Sequence, residues 1–389
     1  MTIVDADSHL DERPDMWSEY SPAGDRDLAL HVREDELGYA WLMLRERPLY
    51  LLDTFEVGNW AKPGELRKRR RAGLRIREED RLENTPACMG DPSARLEKMD
   101  EWGVDEAVLF PNRGFNWENE LQHDLDALYV NCAAWNRWAV EVAQAGAGRL
   151  HPVGHVVLDG GRTPWLEEQL RLLSAAGIRE AMVCPGLIGG LRPSHPLFDP
   201  VWQLFVENDM ALAWHVHSRL GSVFDRPEAW CDNDRDTHVK MMMVLFGNTA
   251  AHLALADFAV NGVFQRHPAL RVVTAELTAD WFTSLGPRID GAYWSWEQIT
   301  GAPLNPALES TPGDYLRQQT TVVCSFPTDV TPGVLQMMDA FPEAFAFATD
   351  FPHPEGLSTV DEYRSRLRDE IPTEHEKSFF GDNIAKVLR

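Results

Sequence analysis

The chain has 389 residues, 44% hydrophobic and 25% charged, with a formal net charge of −24, which is the make-up of a soluble globular protein able to bury a sizeable core. The acidic balance excludes nucleic acid and anionic membrane as main partners, because phosphate contacts need clustered Lys and Arg. No apolar run is long enough to span a bilayer and no basic and apolar leader opens the sequence, so the expected location is the cytoplasm.

The first element is Ile3-Val4-Asp5-Ala6-Asp7-Ser8-His9. On a strand, side chains two apart share a face, so Asp5, Asp7 and His9 are expected to project together. Three ionisable groups on one face are costly to bury unless they bind something, and a metal cation is the usual solution; the other reading is a polar edge strand. From about Ser21 to Pro92 the chain loses period-2 alternation, with helical stretches at Glu65–Leu74 and Glu78–Asn84. It reads as a long insertion after the first strand, a lid over the site or an oligomer contact. The basic run from Arg67 to Arg71 within it reads as a solvated helix face.

Regular alternation begins after Asp91. Ser93 is placed to cap a helix ending at Gly103, followed by a buried strand at Glu106–Pro111 and a long helix from about Leu121 to Ala145. Further strands are predicted at His151–Leu158, Glu180–Cys184, Met210–His215, Leu270–Glu276, Gln319–Cys324 and Ala344–Thr349, mostly separated by helices. Eight strands in this rhythm predict an α/β fold, a (β/α)8 TIM barrel forming one domain over residues 1–389. Cys88, Cys132, Cys184, Cys231 and Cys324 include no C-x-x-C pair and read as reduced thiols.

The last strand runs into Asp350-Phe351-Pro352-His353, an acid at the exit of a buried strand. In a parallel barrel the carboxyl ends of the strands share one face. Asp7 and His9 then meet His215, Glu276 and Asp350, the ends of the first, fifth, sixth and eighth predicted strands, around one divalent cation. His217, two residues beyond His215, is a rival ligand or a substrate contact. His353 is placed to orient Asp350. Arg113 and Arg219 are candidates to pair with a substrate carboxylate, and a surface or capping role is as good a reading of all three.

The series IVDADSH, ARLEKMDEWGVDEAVLFP, HPLFDPVWQLFVENDMALAWHVH, GVFQRHPALRVVTAELTADWF, FATDFPHPEG and FFGDNIAKVL resembles the amidohydrolase superfamily, in particular its amidohydrolase-related branch with the aminocarboxymuconate semialdehyde decarboxylase-like enzymes. The resemblance spans nearly the whole chain. It implies a distorted barrel binding divalent zinc or manganese, a small-molecule substrate and a homodimer. The family's His-x-His falls on Asp7-Ser8-His9, its fifth-strand histidine on His215 and its eighth-strand aspartate on Asp350. The sixth-strand histidine of many relatives falls on or beside Glu276, and the fourth strand, ending Met182-Val183-Cys184, lacks the lysine that bridges two metals. A mononuclear site follows, with Asp7, His9, His215 and Asp350 as metal residues and Asp350 and His215 as catalytic ones.

Three functions are consistent with that resemblance. The first is non-oxidative decarboxylation of an aromatic or unsaturated carboxylic acid, with Asp350 delivering the proton. The second is hydrolysis of an amide, lactone or other C–N or C–O bond, with Asp350 taking a proton from water. The third is a metal-binding scaffold without turnover.

Overall fold

The computed structural model of the protein describes residues 1–52, 65–160, 163–216, 247–353, 362, 365 and 371–389. Twelve strands are described: β1 (Val4–Leu10), β2 (Leu30–Glu34), β3 (Ala40–Leu44), β4 (Arg47–Leu51), β5 (Glu106–Pro111), β6 (Leu150–Pro152), β7 (Gly154–His155), β8 (Glu180–Met182), β9 (Ala211–His215), β10 (Val272–Ala275), β11 (Thr320–Cys324) and β12 (Phe345–Phe347). β1, β5 and β6 pair in parallel, as do β7 through β12 in chain order. The Val153 N–H donates to the Leu109 carbonyl, which carries the pairing from β6 to β7, one stave broken in two. A parallel bridge from Ser8 to Phe351, with the His9 N–H 2.7 Å from the Phe351 carbonyl oxygen, closes β12 onto β1. The described strands thus form the expected eight-stave barrel.

Both faces of these strands are buried, which accounts for their near-continuous apolar runs. Val4, Ala6, Val108, Phe110, Met182, Ala213, Val273 and Ala346 fill the inside, while Leu109, Ala181, Leu212, Val272 and Val322 pack outward against helices such as Leu125–Ala145 and Thr249–Val260. Ile384, Val387 and Leu388 of the helix Asn383–Leu388 join the inner cluster. That helix closes the barrel at the end where strands begin, with Arg271 donating to the Lys386 carbonyl and Arg389 to Glu106.

The insertion differs from the sequence reading. It holds a three-stranded antiparallel sheet, β2–β3–β4, where an irregular run was expected. Its alternation is hidden because Leu42, Met43 and Leu44 are all buried, and β3 slips register between Leu42 and Met43. The helix there is Glu65–Arg71, and residues 78–84 form two 3-10 turns. Arg70 of the basic run is not purely solvated: it bonds Asp35 and lies over the Trp41 ring.

Other boundaries also shift. Asp91, whose carboxylate accepts from the Ala94 N–H, caps the helix Pro92–Trp102 in place of Ser93, while Gly103 ends it with φ +69° as expected. The helix read as starting at Leu121 is two, Gly114–Leu121 and Leu125–Ala145, because Asp124 caps the second. Cys88, Cys132, Cys184 and Cys324 form no disulfide among the described residues, and Cys231 lies outside them. No described helix is long and apolar enough to cross a membrane.

Two tests follow from the interior. A Cβ on Gly381 would overlap the Thr2 carbonyl oxygen, so Gly381→Ala is expected to lower unfolding free energy by about 1–3 kcal/mol in a denaturant titration. Glu180 faces the barrel interior, with no hydrogen-bond partner for either oxygen among the described residues, and burial pushes its carboxyl up to about 8 from 4.5. A folded value above the unfolded one makes stability fall as pH rises from about 4.5 towards about 8. Glu180→Gln lacks this slope, so its melting temperature relative to wild type is expected to rise between about pH 5 and about pH 8.5.

Candidate metal centre

β1 positions the first two side chains through a bulge. Val4 and Asp5 register with Glu106 and Ala107, and Ser8 and His9 with Leu109 and Phe110, so Ala6 and Asp7 together oppose the single Val108. The extra residue shifts the face parity, and Val4, Ala6, Asp7 and His9 all turn inward. Asp5 therefore does not share the face of Asp7 and His9, as strict alternation predicted. Its carboxylate accepts instead from the Thr349 N–H at 2.8 Å and the Thr349 hydroxyl at 2.5 Å, and burial still pushes it up to about 7.

Asp7, His9 and His215 form one close group, and His9, Glu276, Asp350 and His353 a second; within each, the ligand-type atoms lie within 4.8 Å of one another. His215 ends β9. Glu276 and Asp350 follow β10 and β12 with φ of +51° and +54°, left-handed conformations that non-glycine residues seldom adopt and that cluster at functional sites. Ser325, just after β11, donates to Asp7 Oδ2 at 2.7 Å and accepts from the Glu276 N–H at 3.0 Å, tying two of these groups together.

The electrostatics fit a cation. His215 Nδ1 lies 3.1 Å from the Val216 carbonyl oxygen and donates to it, so its Nε2 carries a lone pair. That Nε2 stands 3.4 Å from both Asp7 Oδ1 and Glu276 Oε2, and His9 Nε2 lies 3.6 Å from the same Asp7 oxygen. Burial, then the neighbouring His353, hold the His9 imidazole well below its ordinary value, favouring its neutral form. Asp7 Oδ1 and Asp350 Oδ2 are fully buried and accept no hydrogen bond among the described residues. His9 Nε2 also lies 3.1 Å from Asp350 Oδ1, and a cation among these groups would offset the charge of the buried carboxylates. Atoms bound 2.0–2.2 Å from a common ion stand roughly 3–3.5 Å apart, as these do. The donor set is rich in carboxylate oxygen.

A second chain of contacts reaches Asp350 from behind. Arg113 donates to Asp11 at 2.7 Å and, through its N–H, to Glu12 at 2.8 Å. Asp11 accepts from the Asn112 amide nitrogen, so Asn112 Oδ1 faces His353 Nε2 at 3.0 Å. His353 Nδ1 lies 2.8 Å from Asp350 Oδ1. Arg113, a candidate for binding substrate, is buried in this framework and engages Asp11 and Glu12. His217 and Arg219 lie outside the described residues. Sequence reasoning missed Ser325, Asn112 and Thr349 because it weighed ionisable side chains only. Their positions next to the strand ends were the available signal.

No family model and no curated protein match the chain. Solved structures do. The chain is similar to an amidohydrolase from Mycobacterium avium subsp. paratuberculosis K-10, with 22% identity and a TM-score of 0.77, covering 100% of this chain and 99% of that one. It is also similar to a mutant 5-carboxyvanillate decarboxylase from Novosphingobium aromaticivorans DSM 12444, whose structure has bound manganese and 3-methoxy-4-hydroxy-5-nitrobenzoic acid (16% identity, TM-score 0.65, 100% and 97% coverage). A third is 2,6-dihydroxybenzoate decarboxylase from Rhizobium (12%, 0.58, 100% and 98%).

Elemental analysis tests the cluster. The wild-type chain grown with zinc and manganese is expected to hold about one equivalent of divalent metal, and an Asp7→Ala, His9→Ala double variant to lose it. Equal metal in both would remove these residues from the site.

Proposed function

We propose that this chain, which has the barrel fold of those amidohydrolase and decarboxylase structures, is a metal-dependent lyase that removes carbon dioxide from an aromatic or unsaturated carboxylic acid without oxidation. One divalent cation, zinc or manganese, is held by Asp7, His9, His215 and Asp350, with Glu276 beside them. The oxygen-rich donor set and the manganese in the carboxyvanillate decarboxylase structure favour manganese. When bound, the cation supplies Lewis acidity that fixes the substrate carboxylate and offsets its charge.

The observation that carries the reading is the chain Asn112–His353–Asp350. Asn112 Oδ1 is an acceptor, so His353 bears a hydrogen on Nε2. The 2.8 Å contact between His353 Nδ1 and Asp350 Oδ1 then needs one further hydrogen, shared by imidazole and carboxyl. Decarboxylation breaks the bond between the carboxyl carbon and its neighbour. The electron pair stays on the neighbour, carbon dioxide leaves, and that carbon takes one proton. Asp350, backed by His353, is placed to deliver it. His353 and Asn112 orient the acid, and Ser325, just after the neighbouring strand β11, holds Asp7 and Glu276.

The amidohydrolase similarity, at the higher TM-score, supports a second reading, hydrolysis, in which Asp350 begins without the shared proton and takes one from the attacking water. Product analysis separates the two. The metal-loaded chain is expected to release carbon dioxide from members of a panel of aromatic and unsaturated carboxylic acids. Chelation should abolish turnover and manganese or zinc restore it. Asp350→Asn should lower kcat by roughly 10²–10⁴-fold with the fold and its melting temperature kept. Cleavage of amides or lactones without any carbon dioxide release would favour hydrolysis, and full activity in Asp350→Asn would remove both.

A further inference from the structure

Arg95 lies on the helix Pro92–Trp102, which meets the outer face of β1 at Ser8. It is 1% exposed, and among the described residues no carboxylate forms an ion pair with it. Burial lowers its pKa to about 10, which still leaves the guanidinium charged at neutral pH. Holding such a charge out of water without an ionic partner is costly, and an apolar side chain of similar volume would fill the space at lower cost. The position therefore calls for what a guanidinium alone can do.

All three of its nitrogens are engaged. Nε donates to the Cys88 carbonyl at 2.7 Å, Nη1 to the Ser8 hydroxyl at 2.8 Å and Nη2 to the His9 carbonyl at 2.6 Å. The Ser8 hydroxyl donates onward to the Phe351 carbonyl at 3.1 Å. The guanidinium carbon also stands 4.8 Å from the centroid of the Phe351 ring, and Trp102, two turns along the same helix face, meets that ring edge-on at 4.6 Å. One planar group thus grips both edges of the closing seam, β1 through Ser8 and His9 and the exit of β12 through Phe351. The side chains of His9 and Asp350 leave these two stretches on the inner side, with His9 Nε2 3.1 Å from Asp350 Oδ1. A flexible ammonium could not hold these acceptors and the ring in one fixed plane.

We propose that Arg95 is a positioning residue of the metal centre: it sets the placement of His9 against Asp350 before a cation arrives, and so governs how tightly the cation is held. Preassembled ligands spare the cation the work of ordering them. Arg95 acts through the His9 carbonyl and Phe351, not on the substrate. Its charge works the other way, because a fixed positive group behind the site repels a cation, so geometry accounts for its presence. The inference rests on the metal-dependent reading above and deepens it.

Competition of the manganese-loaded full chain against a chelator tests it, read together with the electron paramagnetic resonance spectrum of the bound ion and the melting temperature of the metal-free chain. Arg95→Lys keeps the charge and loses the fork. It is expected to weaken manganese binding about 10- to 100-fold at unchanged stoichiometry and to alter the manganese spectrum. Gly381→Ala, which crowds the Thr2 carbonyl at the other end of β1, should lower the melting temperature but leave affinity and spectrum as in wild type. If Arg95→Lys fails to fold, Phe351→Leu, which removes the ring beneath the guanidinium and keeps an apolar side chain, should weaken manganese binding in the same way. Wild-type or tighter affinity in whichever of these variants folds, or equal weakening in Gly381→Ala, overturns this inference alone. A wild-type chain that holds no metal overturns the metal-dependent reading and this inference with it.

Discussion

The seam where residues 5–9 meet residues 349–351 is the constraint on which the rest of the molecule depends. Closing a barrel leaves two strand edges that must find each other, and here the joint is made largely of polar contacts. Thr349 bonds Asp5 twice, the Asp350 N–H reaches the Asp7 carbonyl oxygen at 2.8 Å, and the His9 N–H reaches Phe351. The residues that hold this joint alternate with those that face the mouth, so barrel closure and ligand placement are one arrangement. A slip of a single residue would turn Ser8 inward in place of Asp7 or His9. The buried Arg95, donating to the Ser8 hydroxyl at 2.8 Å and the His9 carbonyl at 2.6 Å, braces the same strand from outside.

Much of this was legible in the sequence, for reasons specific to each element. Strands buried on both faces announce themselves as apolar runs, and β5, β9, β11 and β12 were found within one or two residues. Chemistry-bearing residues at strand ends were legible because the barrel sends all those ends to one face, and Asp7, His9, His215, Glu276 and Asp350 do meet. What was not legible depends on backbone detail. The bulge opposite Val108 is invisible to a period-2 rule, so Asp5 was grouped with Asp7 and His9. The β2–β4 sheet was missed because its central strand buries consecutive residues. The role of Arg113 follows from Asp11 and Glu12, whose approach depends on how two loops pack at the end of the barrel.

The seam also orders events in time. Asp7 and His9 emerge from the ribosome more than three hundred residues before Asp350, so every ligand set spanning the seam has very high sequence separation. During synthesis β1 can pair with β5 along one edge early, but its other edge has no partner until the chain has passed residue 350. On the metal-dependent reading proposed above, capture of a cation by the complete cluster would follow chain closure and serve as a chemical signature that closure has occurred.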